Sequence, residues 1–244
     1  MRRLLAALFL TLAVAPAPAY AGIPVTRPMT CPIGGERFDF TTTASYSTFG
    51  ARADGKPFGS WTFPLAIPEC PGNGLLLYKE QFEPAELARL QPLIESADYR
   101  ALRQQQETPY YRMSWLLGRM GEPRDNVLWA LIQATWEPAD DSPVRMRYLG
   151  ELASRVLQET GPPANRGGYA LRAYGINALR ELGRFEETEA LLGRTPLEPL
   201  RPNGTLAGAN ENQKAYWLAY YEKQRTIIAR RDRSVEPPEF PGRR

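Results

Sequence analysis

The chain has 244 residues, 30 Lys and Arg against 27 Asp and Glu, a formal net charge of +3, two cysteines and no histidine. That balance gives no electrostatic reason to expect nucleic acid or an anionic membrane as partner. The missing histidine excludes Ser-His-Asp and Cys-His catalysis, HExxH zinc sites and most catalytic zinc coordination.

The first element, residues 1–21, reads as a secretory signal: Arg2 and Arg3, an apolar run from Leu4 to Val14, and a small-residue exit ending Ala19-Tyr20-Ala21. Cleavage after Ala21 is expected, with a periplasmic or secreted bacterial location. The apolar run is short for a membrane span, so no stable membrane anchor is expected after cleavage. Loss of Arg2 and Arg3 leaves 28 basic against 27 acidic residues, a charge of +1, so little basic character remains.

Residues 22–82 form the second element. Stretches such as "FDFTTTASYSTFG" and "PFGSWTFPLAIP" are rich in Thr, Ser, Gly, Pro and aromatics and alternate loosely, which predicts short strands joined by irregular loops. The region carries one pattern twice, "CPIGG" at residues 31–35 and "CPGNG" at residues 70–74. Each is the outline of a CPxCG zinc knuckle, with Cys31, Pro32 and Gly35 in the first and Cys70, Pro71 and Gly74 in the second. The second ligand position has become Gly34 and Asn73. Two thiolates without histidine are too few for a structural zinc, and Glu36 and Glu69 are poor substitutes. No metal or cofactor is therefore expected. In an oxidising compartment an even pair reads first as a Cys31–Cys70 disulfide, with free or redox-active thiols as the alternative.

Residues 83–233 read as helical. Pro84 opens "PAELARLQPLIES", with Pro92 marking a break or kink, and a second helix stops before Thr108-Pro109. Tyr110, Met113 and Leu117, then Leu128, Leu131 and Ile132, keep helical spacing on either side of Gly121-Glu122-Pro123 and predict a helical hairpin. Ser142-Pro143 starts a helix with a Leu149, Leu152, Ala153, Val156 stripe. Leu171, Tyr174, Gly175, Ala178 and Leu182 repeat the spacing, and "GRFEETEALL" turns into another helix. After a proline-rich loop, "NENQKAYWLAYYEKQRTIIARRD" supplies a long last helix. Residues 234–244, "SVEPPEFPGRR", are expected to be a disordered tail. The fold class is thus α+β, mainly α, with a small strand-rich, degenerate zinc-ribbon-like part packed on a helical array.

"LRELGRFEETEALL" resembles a tetratricopeptide turn, in which a glycine and an aromatic separate two packed helices, although Thr188 stands where alanine is usual. "CPIGG", "CPGNG", Phe82 in "YKEQFEPAEL" and "RELGRFEE" together resemble a bacterial domain-of-unknown-function family that has paired CPxCG knuckles followed by TPR-like helices. The resemblance implies architecture and no mechanism; the export signal and the two lost cysteines depart from the family.

Among carboxylates, Glu186, Glu187 and Glu189 could serve acid and base chemistry, but at a helix start they read as a solvated, dipole-favoured cap, as do Asp140 and Asp141 before Pro143. The helices are dense in aromatics. Tyr110, Tyr111, Trp115, Trp129, Tyr216, Trp217 and Tyr220 are the candidate partner-binding residues, because neighbours such as Tyr110 and Tyr111 cannot all face one core. The expected function is an exported interaction or scaffold module with a protein, peptide or glycan partner in the cell envelope. The alternatives are a carboxylate-dependent enzyme on envelope polymers and a metal or redox protein using the two cysteines.

Overall fold

A computed structural model describes residues 22–240. The fold is mixed and mainly helical, with two small antiparallel sheets preceding a helical array. Strands β1 (Pro24–Thr30) and β2 (Arg37–Thr43) pair with Pro24 opposite Thr43 and Thr30 opposite Arg37. Pro24 and Pro28 are tolerated because β1 is an edge strand, where a missing N–H faces no partner. The second hairpin joins β3 (Thr48–Ala51) to β4 (Pro57–Gly59), with an irregularity between Thr48 and Gly50. Among the described residues its two strands form a sheet of their own; β3 is mostly exposed, Phe49 by 69%, whereas Pro57 and Phe58 of β4 are half-buried and Gly59 is buried.

Among the described residues eight α-helices follow: α1 (Pro84–Ile94), α2 (Ala97–Gln104), α3 (Pro109–Met120), α4 (Arg124–Ala134), α5 (Pro143–Leu157), α6 (Arg166–Glu181), α7 (Phe185–Gly193) and α8 (Glu211–Ala229). Their starts carry local signals. Proline opens α1, α3 and α5, while the side chains of Ser96, Ser142, Asn165 and Asn210 accept first-turn amides. Gly121 and Gly183, at φ +72° and +75°, turn the chain after α3 and α6. Pro92 lies inside α1, whose end follows two residues later.

Helix α6 is the centre. Residues 169–181 are buried on every side of the helix, with α4, α5, α7 and α8 packed around it. Gly175 permits the closest of these approaches: a Cβ there would sit 2.5 Å from Val156 Cγ1 on α5. The apolar interior has two main parts. The smaller unites Cys31, Cys70, Leu75 and Leu76 with Leu90, Ile94, Tyr99, Leu116 and Met120 of α1–α3. The larger fills the space between α4, α5, α6, α7 and α8 and includes Ala53 from the second hairpin and Phe240 from the C-terminal segment. Ile67 and Met113 pack against both.

One expectation changes. The segment from Ser234 is not a disordered tail as far as Phe240: the Arg180 guanidinium donates to Asp232 and Ser234 carbonyls, both at 2.8 Å, and Phe240 is buried with its ring 5.0 Å from that of Tyr220. A buried arginine needs acceptors, and this segment supplies them. Residues 52–55 of the second hairpin are buried in the helical core. The expected signal peptide, residues 1–21, and residues 241–244 lie outside the described residues.

Candidate functional site

The two Cys-Pro-x-x-Gly segments fold alike. The Cys31 N–H donates to the Glu36 carbonyl at 2.8 Å and the Gly35 N–H to the Cys31 carbonyl at 3.1 Å; Cys70 to Leu75 and Gly74 to Cys70 repeat this at 2.9 Å each. Gly35 and Gly74 take left-handed φ values of +71° and +74°, which explains why glycine ends both motifs. Their cysteines are bridged, with Cα atoms 5.7 Å apart, so the disulfide expected from the sequence is present. The second ligand positions have a different use: Asn73 Nδ2 donates to the Ile33 carbonyl at 2.8 Å, and its Oδ1 accepts the Leu75 N–H at 2.9 Å. Glu36 accepts the Gly72 N–H at 2.7 Å. The two turns are thus clasped by one covalent and two polar links. Among the described residues there is no group of three or more His, Cys, Asp or Glu side chains placed to hold a metal ion.

A second constellation lies where the tip of the β3–β4 hairpin enters the helices. Residues 52–56 form a tight turn in which the Arg52 N–H donates to the Lys56 carbonyl and the Gly55 N–H to the Arg52 carbonyl, both at 3.0 Å. Gly55 sits at φ +82°, and a Cβ there would lie 2.4 Å from the Tyr174 ring, so this position requires glycine twice over. Helix residues grip the turn mainly through its backbone and its carboxylate. Trp136 Nε1 donates to the Asp54 carbonyl at 3.1 Å, the Tyr220 hydroxyl donates to the Ala53 carbonyl, and Arg145 Nη2 donates to the Asp54 carboxylate at 3.2 Å. Arg52 folds over the same carboxylate, with Nη2 at 2.5 Å and Nε at 3.2 Å, and reaches Asp140 at 3.0 Å through Nη1.

The network continues inward. Arg145 Nη1 donates to Glu181 at 2.7 Å, Asn177 Nδ2 donates to the other Glu181 oxygen at 2.7 Å, and Arg180 Nη2 and Gln224 Nε2 donate to Asn177 Oδ1 at 2.8 and 3.2 Å. Burial works against the ionised form of both carboxyls. For Asp54 the opposing hydrogen bonds and charge of Arg52, joined by Arg145, outweigh it and hold the group low, whereas Glu181 stays raised despite Arg145 because Asp54 adds like charge. Burial also raises the hydroxyls of Tyr174 and Tyr220. Asp54 and Glu181 are 4% exposed and enclosed by donors, which makes them anchoring groups rather than acid and base facing a substrate.

The candidate aromatics divide by burial. Tyr110, Trp217 and Tyr220 are buried; Tyr110 donates to the Leu65 carbonyl at 2.9 Å, and Trp217 and Tyr220 pack around Tyr174 below the hairpin tip. Half-buried Tyr111 stacks on Tyr148 with centroids 4.3 Å apart, Trp115 leans on Tyr99, and Trp129 meets Tyr174 edge-on. Only Tyr216 of the seven is prominently exposed, at 51%, and it lies 5.0 Å from Trp217. Trp129, Trp217, Tyr220 and Tyr216 therefore form one contiguous aromatic group about Tyr174, while Tyr110, Tyr111 and Trp115 lie elsewhere. Pro32 of the first turn lines a separate open cleft of about 870 Å³ with Met29, Leu65, Leu77, Tyr78 and Phe82.

Glu186, Glu187 and Glu189 remain a helix-start cluster; Glu186 pairs with Arg231 and Glu187 with Arg184 on the surface. Asp140 does more than flank a cap, since Ser142 caps α5 and Asp140 is free to pair with Arg52. Arg52, Asp54, Arg145, Asn177 and Glu181 were not legible as a site. The available signal was Arg145, which begins the Leu149, Leu152, Val156 stripe on a core-facing position where an arginine demands a buried partner. No family model, curated protein or solved structure matches the chain.

Proposed function

We propose that the protein is an exported cell-envelope interaction module, in which a disulfide-stapled, zinc-ribbon-derived N-terminal part rests on TPR-like helices that hold a short segment of a partner protein. One observation carries this reading: Trp136 just after α4, Arg145 of α5 and Tyr220 of α8 already hold an irregular chain segment, residues 52–56, by donating to two main-chain carbonyls and one carboxylate. Those are groups that any peptide turn with an acidic residue offers, and aromatic anchors beside a charged clamp are the usual currency of such recognition. The Cys31–Cys70 bridge suits an oxidising compartment, in keeping with export. The resemblance to the knuckle-and-TPR family belongs to the same proposal and rests on the matching turns at residues 31–35 and 70–74.

The test is site-specific photo-crosslinking in the native envelope. A photoreactive residue at exposed Tyr216 or half-buried Trp129 should give a reproducible protein adduct, and one at exposed Arg100 on α2 should not. Equal adduct yields at all three positions, or none at Tyr216 and Trp129, would refute the reading.

A further inference from the structure

The seat of the hairpin tip has the chemistry of a receptor site rather than of an ordinary core. Its walls are Trp136, Arg145, Tyr174, Tyr220 and the Asn177–Glu181 pair, and its contents are Ala53, Asp54 and Gly55. The grip falls on carbonyl oxygens, on one carboxylate and on the space above a glycine, with Ala53 adding one methyl. Polar closure of this kind is characteristic of separable interfaces, whereas permanent cores close with apolar side chains. Among the described residues the hairpin that carries the tip forms a two-stranded sheet of its own; residues 45–50, leading into the tip, are exposed, and residues 57–60, leading out of it, are half-buried to buried. Its turn hydrogen bonds are internal to residues 52–56 and need not break if the tip leaves, although the links from Lys56 Nζ to the Trp136 carbonyl and from Arg52 to Asp140 must.

We propose that this groove is a recognition site for a short acidic turn with glycine after the acid, and that residues 52–56 occupy it in cis until the corresponding turn of a partner protein displaces them. The proposal rests on the interaction-module reading and specifies its ligand. Recognition needs three things together: a carboxylate for Arg145, a carbonyl pair for Trp136 and Tyr220, and a residue without Cβ against Tyr174. A partner turn that lacks the carboxylate leaves buried Arg145 with Glu181 and, at 3.9 Å, the more distant Asp140 as its carboxylates. One that replaces the glycine collides with the Tyr174 ring.

The test uses the mature full-length chain and a fluorescein-labelled, cyclised peptide of residues 50–58. Gly55→Val in the protein should expel the tip, since the side chain meets Tyr174 and the φ of +82° is hostile to a β-branched residue. The variant should bind the peptide at least tenfold more tightly than the parent protein, whose groove is filled. The same peptide carrying Asp54→Asn should bind the variant at least tenfold more weakly. A folded variant that binds neither peptide, or binds both equally, would overturn the proposal. Native-state hydrogen exchange on the parent protein guards against a variant that fails to fold. The Arg52, Gly55 and Lys56 amides should exchange through an opening that leaves the α5 and α6 amides protected; exchange of all of them only with global unfolding would overturn it. Peptide binding without envelope crosslinks would support the groove and count against the envelope partner. Crosslinks without peptide binding would overturn the groove and place the partner on another surface.

Discussion

Glu137 gives the sharpest test of the electrostatics around the hairpin tip. It follows Trp136 in the turn after α4, is half-buried, and accepts the Tyr110 N–H at 3.1 Å where α3 begins. Burial pushes its carboxyl from the ordinary 4.5 up to about 7, against the pull of the Tyr110 amide, Arg112 and Lys56. At about 1.4 kcal/mol for each tenfold in proton affinity, that gap amounts to about 3 kcal/mol. The direction follows from which state holds the proton more tightly. Below pH 4.5 both states are protonated and folding carries no penalty. As pH rises to about 7 the unfolded chain ionises first, so stability falls by about 3 kcal/mol and then levels off. Glu137→Gln keeps an oxygen for the Tyr110 amide and never ionises. The variant should match the parent at pH 4.5 and exceed it by about 3 kcal/mol at pH 8, or by roughly 6 to 12 °C in Tm for a chain of this size. Urea unfolding followed by tryptophan fluorescence, at fixed ionic strength between pH 4.5 and 8, measures the difference; other titrating groups cancel between the two proteins. Parallel curves across that range would show that Glu137 is ionised in the folded protein and would refute the argument.

Replacing both Cys31 and Cys70 by Ser should cost about 4 kcal/mol, the chain-entropy value for a bridge across 39 residues, and intact mass should rise by two hydrogens when the parent is reduced. The paired turns should answer differently to alanine. Gly35→Ala meets open space and should cost only the roughly 1 kcal/mol of a strained φ, whereas Gly74→Ala also drives a Cβ to 2.3 Å from Arg103 Nε and should cost more, as denaturant midpoints would record. Tyr220→Phe removes the hydroxyl that serves the Ala53 carbonyl and accepts from Gln224, so a loss of about 1 to 3 kcal/mol in chemical denaturation is expected. Tyr216→Ala, at an exposed ring, should change stability by about 0.5 kcal/mol or less while lowering any partner crosslinking.

The helices were readable because their signals are local. Pro84, Pro109 and Pro143 mark starts, Gly121 and Gly183 mark stops, and the stripes of α5 and α6 follow the helical period, so each element could be placed without knowing its neighbours. The disulfide was readable for a related reason: two cysteines in matching turns leave one pairing. What escaped were contacts between distant residues. Asp54 meets Arg145 across 91 positions and Tyr220 reaches Ala53 across 167, and neither end carries a pattern that names the other. The Asp54-Gly55 step signals a turn but does not say that the turn is buried. The segment from Ser234 to Phe240 looked featureless because its structure comes from the acceptors it offers to Arg180 and from one phenylalanine, which composition cannot register.

The disulfide closes residues 31–70 into a ring, and the turn at residues 52–56 lies near the ring's far side. One end of that ring is embedded with α1, α2 and α3, the other with α4, α5, α6 and α8. Residues 31–70 are therefore a tether laid across the helical array. Tension that separates the two groups of helices must pass in part through a covalent loop, and the yield point of that path is the clamp on Asp54. Under load, the non-covalent hold on the turn would yield before the covalent ring could part, so the two groups of helices would stay joined after the turn had left its seat.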